Sequence, residues 1–307
     1  MFASMGKLRI VYFSSRPSDL TNVVVRGLEA AGAEILLVVM TPGPRARPTE
    51  AYKDVVANKL SGVDVLVTSH MARLASMLRE LEPDLIFVTG FPWRLPAELL
   101  ALPRLGSVNT HPALLPKYRG PNPLFWQILN DERETGLTIH RMETEFDTGP
   151  ILAQGVMSID PDWYIEDLAG HLGDVAPKVL REGLAAAVAG DPGRPQPTQG
   201  ASYAPLTTEA DRKLDWARPA AESRNRVRAW GMEGAVGQIE GREWIVRRAR
   251  VVEDRGEGGK AGVGSLVDLG PEGRAVRTGE GMLLLEDAEE VGSGERGGEG
   301  VRVDGKA

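Results

Sequence analysis

The sequence predicts an α/β protein with a Rossmann-like, mostly parallel sheet, followed by a small C-terminal β-barrel. Through the first 190 residues, short β-branched runs alternate with amphipathic segments. This pattern is typical of a parallel sheet covered on both faces. A stretch rich in Pro, Gly and Gln follows, 191-DPGRPQPTQGASYAP-205. Beyond it, short strand-like runs are separated by glycine turns, which favours a small barrel.

The elements follow from hydrophobic periodicity. The segment 71-MARLASMLREL-81, for example, has apolar residues at helical spacing. In the first part of the chain we predict strands at 8–13, 34–40, 63–68, 84–89, 106–110, 136–142 and 151–156, and helices at 19–31, 49–59, 71–81 and 165–189. In the last part we predict a helix near 219–230 and strands at 243–252, 263–268, 274–278 and 281–285.

Composition predicts where the domains begin and end. The Pro- and Gly-rich stretch is typical of an extended linker. The last residues, 292-GSGERGGEGVRVDGKA-307, contain too few apolar side chains to form a core. We therefore expect a first domain at 1–190, a linker at 191–206, a barrel domain at 207–291 and a flexible tail at 292–307.

Composition and charge also exclude several classes of protein. The 307 residues carry a formal net charge of −7, which disfavours a general nucleic-acid binder. The chain has no cysteine, which excludes a disulfide framework and a cysteine nucleophile. No apolar run approaches the ~20 residues of a membrane span, and the N-terminus has no signal pattern. We expect a cytoplasmic protein without a membrane partner.

Phosphate-binding loops are not indicated either. The turn after the first strand, 14-SSRPSDL-20, has neither G-x-G-x-x-G nor G-x-x-x-x-G-K. A dinucleotide or nucleoside triphosphate site is therefore not supported. The basic runs 45-RAR-47 and 247-RRAR-250 are more typical of solvated faces than of phosphate sites.

Three polar residues stand out as candidates for chemistry. Asn109 and His111 lie two positions apart at a predicted strand end, so they project to the same side while Thr110 points away. In an open α/β sheet, the carboxyl ends of the strands are where ligands bind. An amide beside an imidazole suits a carbonyl whose oxygen gains charge. Asp147, in a D-T-G turn, would orient the imidazole and favour its protonated form.

Spacing alone does not decide between catalysis and structure. An isolated N-x-H is more often a loop cap, and D-T-G is more often only a turn. The other histidines, His70, His140 and His171, are scattered along the chain, and we interpret them as structural. Because no second histidine stands with carboxylates at ligand spacing, no metal is expected.

The segments 109-NTHPALLPKYRGPNP-123 and 136-GLTIHRMETEFDTGPIL-152 resemble the formyltransferases that use N10-formyltetrahydrofolate. The resemblance covers roughly residues 7–190 and implies the formyltransferase fold, with an OB-like open barrel as the second domain. It also implies that Asn109, His111 and Asp147 are the catalytic residues. The family's usual S-L-L-P is 113-ALLP-116 here, so that Ala113 replaces a serine.

The resemblance further implies the mechanism and the donor site. An amine attacks the formyl carbon on N10 of the folate, and Asn109 and protonated His111 stabilise the oxyanion. The pterin is expected between 90-GFPWRLP-96, where Arg94 replaces a usually apolar residue, and 143-ETEFD-147. The expected folate-binding residues are Phe87, Gly90, Phe91, Trp93, Leu95, Leu115, Pro116, Glu143, Glu145 and Phe146.

The acceptor amine is less well defined by the resemblance. The second part, including 203-YAPLTTEADRKLDW-216, resembles the second domain of enzymes that formylate initiator methionyl-tRNA, so that this acceptor leads. An arginine cluster would then follow the tRNA backbone: Arg224, Arg226, Arg228, Arg247, Arg248 and Arg250. Against it, residues 205–260 carry ten acidic beside twelve basic residues, and 121-PNPLFWQILN-130 is closer to enzymes that act on amino-sugar nucleotides.

Two alternatives from other classes remain. A formyltetrahydrofolate hydrolase would use the same three residues, but such enzymes normally carry an N-terminal regulatory domain, and the first strand begins near Leu8. A noncatalytic folate- or RNA-binding protein would not require all three residues. The sequence leaves the oligomeric state open.

Overall fold

A computed structural model describes residues 7–15, 19–41, 62–68, 70–254, 256 and 261–292. The predicted helix at 49–59, the basic run 45–47 and nearly all of the predicted tail lie outside these residues. The chain divides into two compact units. Unit 1 comprises Met1–Pro123, Glu134–Ser158 and Gly170–Pro205, and unit 2 comprises Leu124–Arg133, Ile159–Ala169 and Leu206–Ala307. The domain boundaries predicted from composition remain a prediction.

The helices and strands of the described residues follow the alternation that the sequence predicts. In chain order they are β1 (Leu8–Ser14), α1 (Asp19–Ala30), β2 (Ala33–Met40), β3 (Val65–Val67), α2 (Met71–Arg79), β4 (Leu85–Thr89), α3 (Ala97–Leu100), β5 (Ser107–His111), α4 (Pro123–Leu129), β6 (Glu134–Arg141), β7 (Ile151–Ser158), α5 (Ile165–Val188), α6 (Glu209–Arg212), α7 (Ala220–Trp230), β8 (Ala235–Ile239), β9 (Arg242–Val252), β10 (Leu266–Asp268), β11 (Arg274–Arg277) and β12 (Met282–Glu290).

Unit 1 is built on a seven-stranded sheet in the order β3-β2-β1-β4-β5-β6-β7. The strands from β3 to β5 pair in parallel, and β6 and β7 add two antiparallel pairings at one side. This arrangement confirms the predicted mostly parallel sheet. It also places the carboxyl ends of β4 and β5 side by side.

The sheet of unit 1 has a core on each face. Tyr12 and Phe87 point into a first core with α1 and α5, and Phe13 and Val88 point into a second core with α2. The strands alternate between two buried faces, which explains their nearly continuous apolar sequences. On the first face, α5 presents Ala176, Val179, Leu180, Leu184 and Ala187 at helical spacing.

Unit 2 contains a five-stranded antiparallel sheet in the order β10-β11-β12-β9-β8. The long pairing of β9 with β12 shifts register between Leu285 and Ala288, and such irregularities bend a sheet. The sheet curls around a core that includes Val246, Val276 and Leu283, which confirms the barrel-like class. Strand β8 was not predicted, because its glycine-containing sequence AVGQI follows the glycines of 230-WGMEG-234 and hides the strand pattern.

Among the described residues, no helix is both long enough and apolar enough to cross a membrane.

Candidate active site

The candidate site begins at the carboxyl end of β5. Asn109 and His111 lie on the same face of this strand, which continues into Pro112, and Thr110 between them is buried on the other face. On the neighbouring antiparallel strand β6, His140 is the register partner of Asn109. Asn109 and His111 therefore project to the same side, as their spacing predicts. The strand pairing adds a second imidazole.

Asp147 joins these residues through its carboxylate. Its Oδ1 accepts a hydrogen bond from Asn109 Nδ2 at 3.1 Å, and its Oδ2 lies 3.5 Å from His111 Nδ1. The backbone N–H of Gly120 donates to Oδ2 at 2.8 Å. The His111 and Asp147 side chains are 5% and 6% exposed, so that this contact lies in a dry environment where electrostatic interactions are strong. The structure thus brings the three predicted residues together.

The turn that carries Asp147 requires an unusual backbone. Asp147 has a φ of 55°, in the left-handed region that non-glycine residues rarely adopt. Two residues later, a Cβ on Gly149 would overlap the carbonyl oxygen of Arg141. The glycine of D-T-G is therefore required by a close backbone approach to the end of β6.

The backbone also fixes the orientation of His111. Its Nε2 lies 2.7 Å from the carbonyl oxygen of Tyr118. Because a carbonyl oxygen only accepts, Nε2 carries the proton and donates it there. The other ring nitrogen, Nδ1, then faces Asp147 and is the atom that can gain or lose a proton in the site.

His140 is a member of this site that the sequence analysis missed. Its Nδ1 donates to the carbonyl oxygen of Arg141 at 2.7 Å. Its Nε2 lies 3.3 Å from Asp147 Oδ1 and 3.3 Å from Asn109 Nδ2. The structure therefore places His140 beside the candidate residues, which its position in the sequence did not indicate, and our interpretation of it as structural stays a prediction. Pairing of the strands at 106–110 and 136–142 would have revealed it, but the sequence did not show which strands are neighbours.

The charges in the site depend on one another. Burial lowers the pKa of His111 below its usual 6.5, although the charge of Asp147 and the hydrogen bond to Tyr118 oppose this effect. Burial alone would raise the pKa of Asp147, but the charge of His111, the contact with His140 and the N–H of Gly120 lower it to about 2. Asp147 is therefore a carboxylate at neutral pH. Its negative charge opposes the effect of burial on the pKa of His111.

The two segments expected around folate lie together in unit 1. Arg94 forms an ion pair with Glu145 at 2.8 Å and lies over the ring of Phe146. Trp93 is 37% exposed, and its Nε1 donates to Thr41 Oγ1 at 3.0 Å. The segments 90–96 and 143–147 thus contact each other, and the second of them ends at Asp147.

The expected folate-binding residues differ in how accessible they are. Phe87 is fully buried in the first core beside Tyr12, so that a contact of Phe87 with a ligand would have to come from its backbone. The others range from buried (Phe91, Leu95, Leu115) through half-buried (Pro116, Phe146) to exposed (Gly90, Glu143, Glu145). Their role in binding remains a prediction.

The arginine cluster of unit 2 is largely occupied by protein groups. Arg228 is 1% exposed and donates to the carbonyl oxygen of Trp163 at 2.8 Å, so it cannot contact a phosphate, contrary to our expectation. Other members pair with acidic side chains: Arg224 with Asp162, Arg247 with Glu289 and Asp287, and Arg250 with Glu272 and Glu286. Arg248 lies over the ring of Tyr164 at 3.8 Å.

Side chains that could bind a metal ion do not form a cluster among the described residues. The residues that the structure describes contain no group of three or more His, Cys, Asp or Glu side chains that could hold a metal ion.

Comparison with known proteins agrees with the fold. Residues 8–184 match the family model described as formyl transferase, and residues 207–295 match the formyl transferase C-terminal domain. The chain is therefore a transferase of the α/β class. It belongs to the formyl transferase family.

Curated relatives support this membership over most of the chain. A methionyl-tRNA formyltransferase of Roseiflexus castenholzii is 35% identical over 93% of this chain and 92% of its own length. A methionyl-tRNA formyltransferase of Myxococcus xanthus is 37% identical over 75% of this chain and 74% of its own length.

Solved structures share the fold at lower sequence identity. HypX from Aquifex aeolicus, in complex with tetrahydrofolic acid, has a TM-score of 0.66 and 21% identity, with 92% of this chain covering 44% of the HypX chain. The sugar 3N-formyltransferase WlaRD has a TM-score of 0.63 and 16% identity, covering 94% of this chain and 98% of its own.

Proposed function

We propose that this chain transfers the formyl group of N10-formyltetrahydrofolate to the amino group of initiator methionyl-tRNA, with Asn109, His111 and Asp147 as its catalytic residues. The observation that carries the proposal is the buried Asp147 carboxylate, which faces both His111 and Asn109 at the carboxyl edge of the sheet. Substrates bind at this edge in open α/β proteins.

The residues around the site fit a folate donor. The segments 90–96 and 143–147 are linked by the Arg94–Glu145 ion pair, and they present exposed aromatic surface at Trp93, which suits a flat ring. When bound, N10-formyltetrahydrofolate supplies an activated formyl group next to the catalytic residues.

Each catalytic side chain has a distinct task. His111 offers Nδ1, because its Nε2 is held by Tyr118. With a proton on Nδ1 it stabilises the negative charge that develops on the formyl oxygen, and Asn109 adds a neutral donor. Asp147 stabilises the imidazolium and helps the proton to move from the attacking amine to N10 of the folate. The bond between the formyl carbon and N10 then breaks, and tetrahydrofolate leaves. Residues 1–190 form the catalytic domain in this proposal, and 207–291 form the barrel domain joined to it by the 191–206 linker.

The names of the curated relatives support methionyl-tRNA as the acceptor, and such a role would place the protein in the cytoplasm. One observation favours an amino-sugar nucleotide or another small amine instead: the arginine cluster is mostly paired with acidic groups, and Arg228 is buried. Neutralised arginines contribute little to binding a phosphate backbone.

The test is turnover of N10-formyltetrahydrofolate by the purified protein with charged initiator methionyl-tRNA and, separately, with a panel of amino-sugar nucleotides. We expect fast formylation of the tRNA and a loss of roughly 100-fold or more in Asp147→Asn, since acid–base groups contribute about 10²–10⁴. Asp268→Asn, at an exposed position, is the control.

Turnover only with a sugar nucleotide would establish the alternative acceptor. Formate release without an acceptor would indicate a hydrolase, and binding without turnover would indicate a noncatalytic protein.

A further inference from the structure

Gln196 lies in the stretch that composition predicts to be a linker, yet its side chain contacts the turn that carries Asp147. Its Nε2 donates to the carbonyl oxygen of Asp147 at 2.8 Å and to that of Gly149 at 2.7 Å. Its Oε1 accepts from Nε and Nη2 of Arg119 at 3.0 and 2.8 Å. Both N–H groups and both lone pairs of the amide are therefore used.

The partners of Gln196 fix which way its amide points. Arg119 can only donate, and the two backbone carbonyl oxygens can only accept. A flipped amide would place its NH₂ group against the guanidinium and its oxygen against two carbonyl oxygens. The hydrogen-bond network therefore determines the orientation.

The segment around Gln196 is anchored on both sides. Before it, Arg194 and Ile151 exchange two backbone hydrogen bonds at 2.8 Å. After it, Arg119 donates its N–H to Ser202 and accepts from the N–H of Ala204. These contacts all lie within unit 1. None of these hydrogen bonds involves Gln196 itself, so the backbone on either side of Gln196 positions its side chain.

Gln196 thus links two segments that hold the same carboxylate. Arg119 directly precedes Gly120, whose N–H donates to Asp147 Oδ2. Asp147 itself has the disfavoured left-handed backbone conformation, which persists only where surrounding contacts impose it. Gln196 bonds to the backbone of Asp147, whereas Gly120 bonds to its carboxylate.

We propose that Gln196 is a positioning residue for formyl transfer: it holds the backbone of Asp147 so that the carboxylate faces His111 and Asn109. The inference rests on the proposed function, in which Asp147 acts directly on the reacting groups. A displacement of a catalytic group by about 1 Å can cost 10²-fold in rate, while the binding surfaces for both substrates stay in place.

The first test compares Gln196→Glu with Gln196→Met. Glu keeps an acceptor for Arg119 but loses both N–H donors, and Met loses every hydrogen bond. We expect kcat to fall at least tenfold in both variants, with less than a threefold change in the KM for the formyl donor. Gln238→Glu, an exposed position in unit 2, is the matched control and should keep the kcat of the wild type. A wild-type kcat in Gln196→Glu would overturn the proposal, since anchoring through Arg119 alone would then suffice.

The second test does not depend on turnover. The chain has four histidines, so that the His111 ring can be followed through a pH titration by NMR. The titratable groups that face His111 among the described residues are Asp147 and His140. In Gln196→Met we expect His111 to titrate at lower pH than in the wild type, because a displaced Asp147 no longer stabilises the imidazolium.

The two tests separate the inference from the proposed function. If the wild type transfers no formyl group but the titration of His111 shifts in Gln196→Met, the proposed function fails and the positioning role stands. If the wild type is active and neither kcat nor the titration responds, the inference is wrong. Should the Gln196 variants not fold, Arg119→Met leaves Gln196 in place but removes the guanidinium, one of the partners that orient its amide. We expect a threefold or larger loss of kcat in that variant, and an unchanged kcat would contradict the inference.

Discussion

At the scale of single residues, the Asp147 carboxylate organises the site. It contacts His111, His140, Asn109 and the N–H of Gly120. A carboxylate so surrounded stays ionised and holds two imidazole rings and an amide in fixed orientations. The geometry brings three residue types that are common as caps and turns to one carboxylate, and in the proposed function they form the reactive centre.

His140 should affect the rate although it is not one of the three predicted catalytic residues. In His140→Phe the ring volume is roughly kept, but the contacts with Asp147 and Asn109 are lost. We expect kcat to fall about tenfold or more, because both groups lose a fixed partner. His171→Phe, on the exposed face of α5, is the control. A steady-state kcat within twofold of the wild type would show that His140 only fills space.

The lowered pKa of Asp147 predicts a contribution to stability that depends on pH. The pKa is about 2 in the folded protein, against an ordinary 3.8. A carboxyl group with a lowered pKa stabilises the fold above its unfolded pKa, and this stability is lost as the pH falls through 3.8 towards 2. The contribution is of the order of 2 kcal/mol.

Urea unfolding of the wild type and of Asp147→Asn measures this contribution. We expect the difference in free energy of unfolding between the two proteins to shrink between pH 5 and pH 2, with Asp268→Asn as a control. A difference that stays constant over this range would mean that the carboxylate is not stabilised by its partners.

At the scale of elements, the site depends on how β5, β6 and the turn after β6 come together. Register pairs Asn109 with His140, and the D-T-G turn brings Asp147 back to both. The elements themselves could be predicted from the sequence, because their periodicity is local. The contact of β5 with β6 is a long-range pairing, which periodicity does not encode.

Gly149→Ala tests the close approach of this turn to β6. The added methyl group would overlap the carbonyl oxygen of Arg141, so that the turn must move. We expect a loss of about 2 kcal/mol in stability together with a fall in kcat, measured by urea unfolding and by turnover.

The control for Gly149→Ala lies in α5. A Cβ on Gly170 meets no atom within 4 Å, and alanine is favoured over glycine inside a helix. Gly170→Ala should therefore raise the stability by about 0.5–1 kcal/mol. If both substitutions had the same effect, the crowding at Gly149 would not be the cause.

At the scale of the whole molecule, unit 2 is assembled from three separate stretches of the chain. Arg228 in α7 connects them: it donates to the carbonyl oxygen of Trp163 at 2.8 Å and lies 3.3 Å from Asp131 Oδ1. A buried guanidinium with these partners supports the structure of the unit. It is not exposed to a substrate that accepts the formyl group. Because charge alone does not reveal burial, nothing in the sequence distinguishes Arg228 from the exposed arginines.

Arg228→Met should therefore destabilise the protein without changing how it recognises phosphate groups. We expect a loss of roughly 3 kcal/mol, because Asp131 and the carbonyl groups of Trp163 and Asp160 lose their donor. Arg250→Met, at a half-exposed ion pair, should change stability by less than about 0.5 kcal/mol. The comparison is made by urea unfolding, and an equal effect of both variants would contradict the structural role of Arg228.

The sequence by itself determined the fold class, most of the strands and helices, and the resemblance that indicates formyl transfer. These follow from local periodicity and from a motif in which Asn109, His111 and Asp147 are close in the chain or specific in spacing. Only the tertiary structure decided that His140 and Gln196 contact Asp147 and that Arg228 lies in the interior. Those three positions depend on which strands and loops become neighbours, and that is settled by long-range packing and by hydrogen bonds between distant segments.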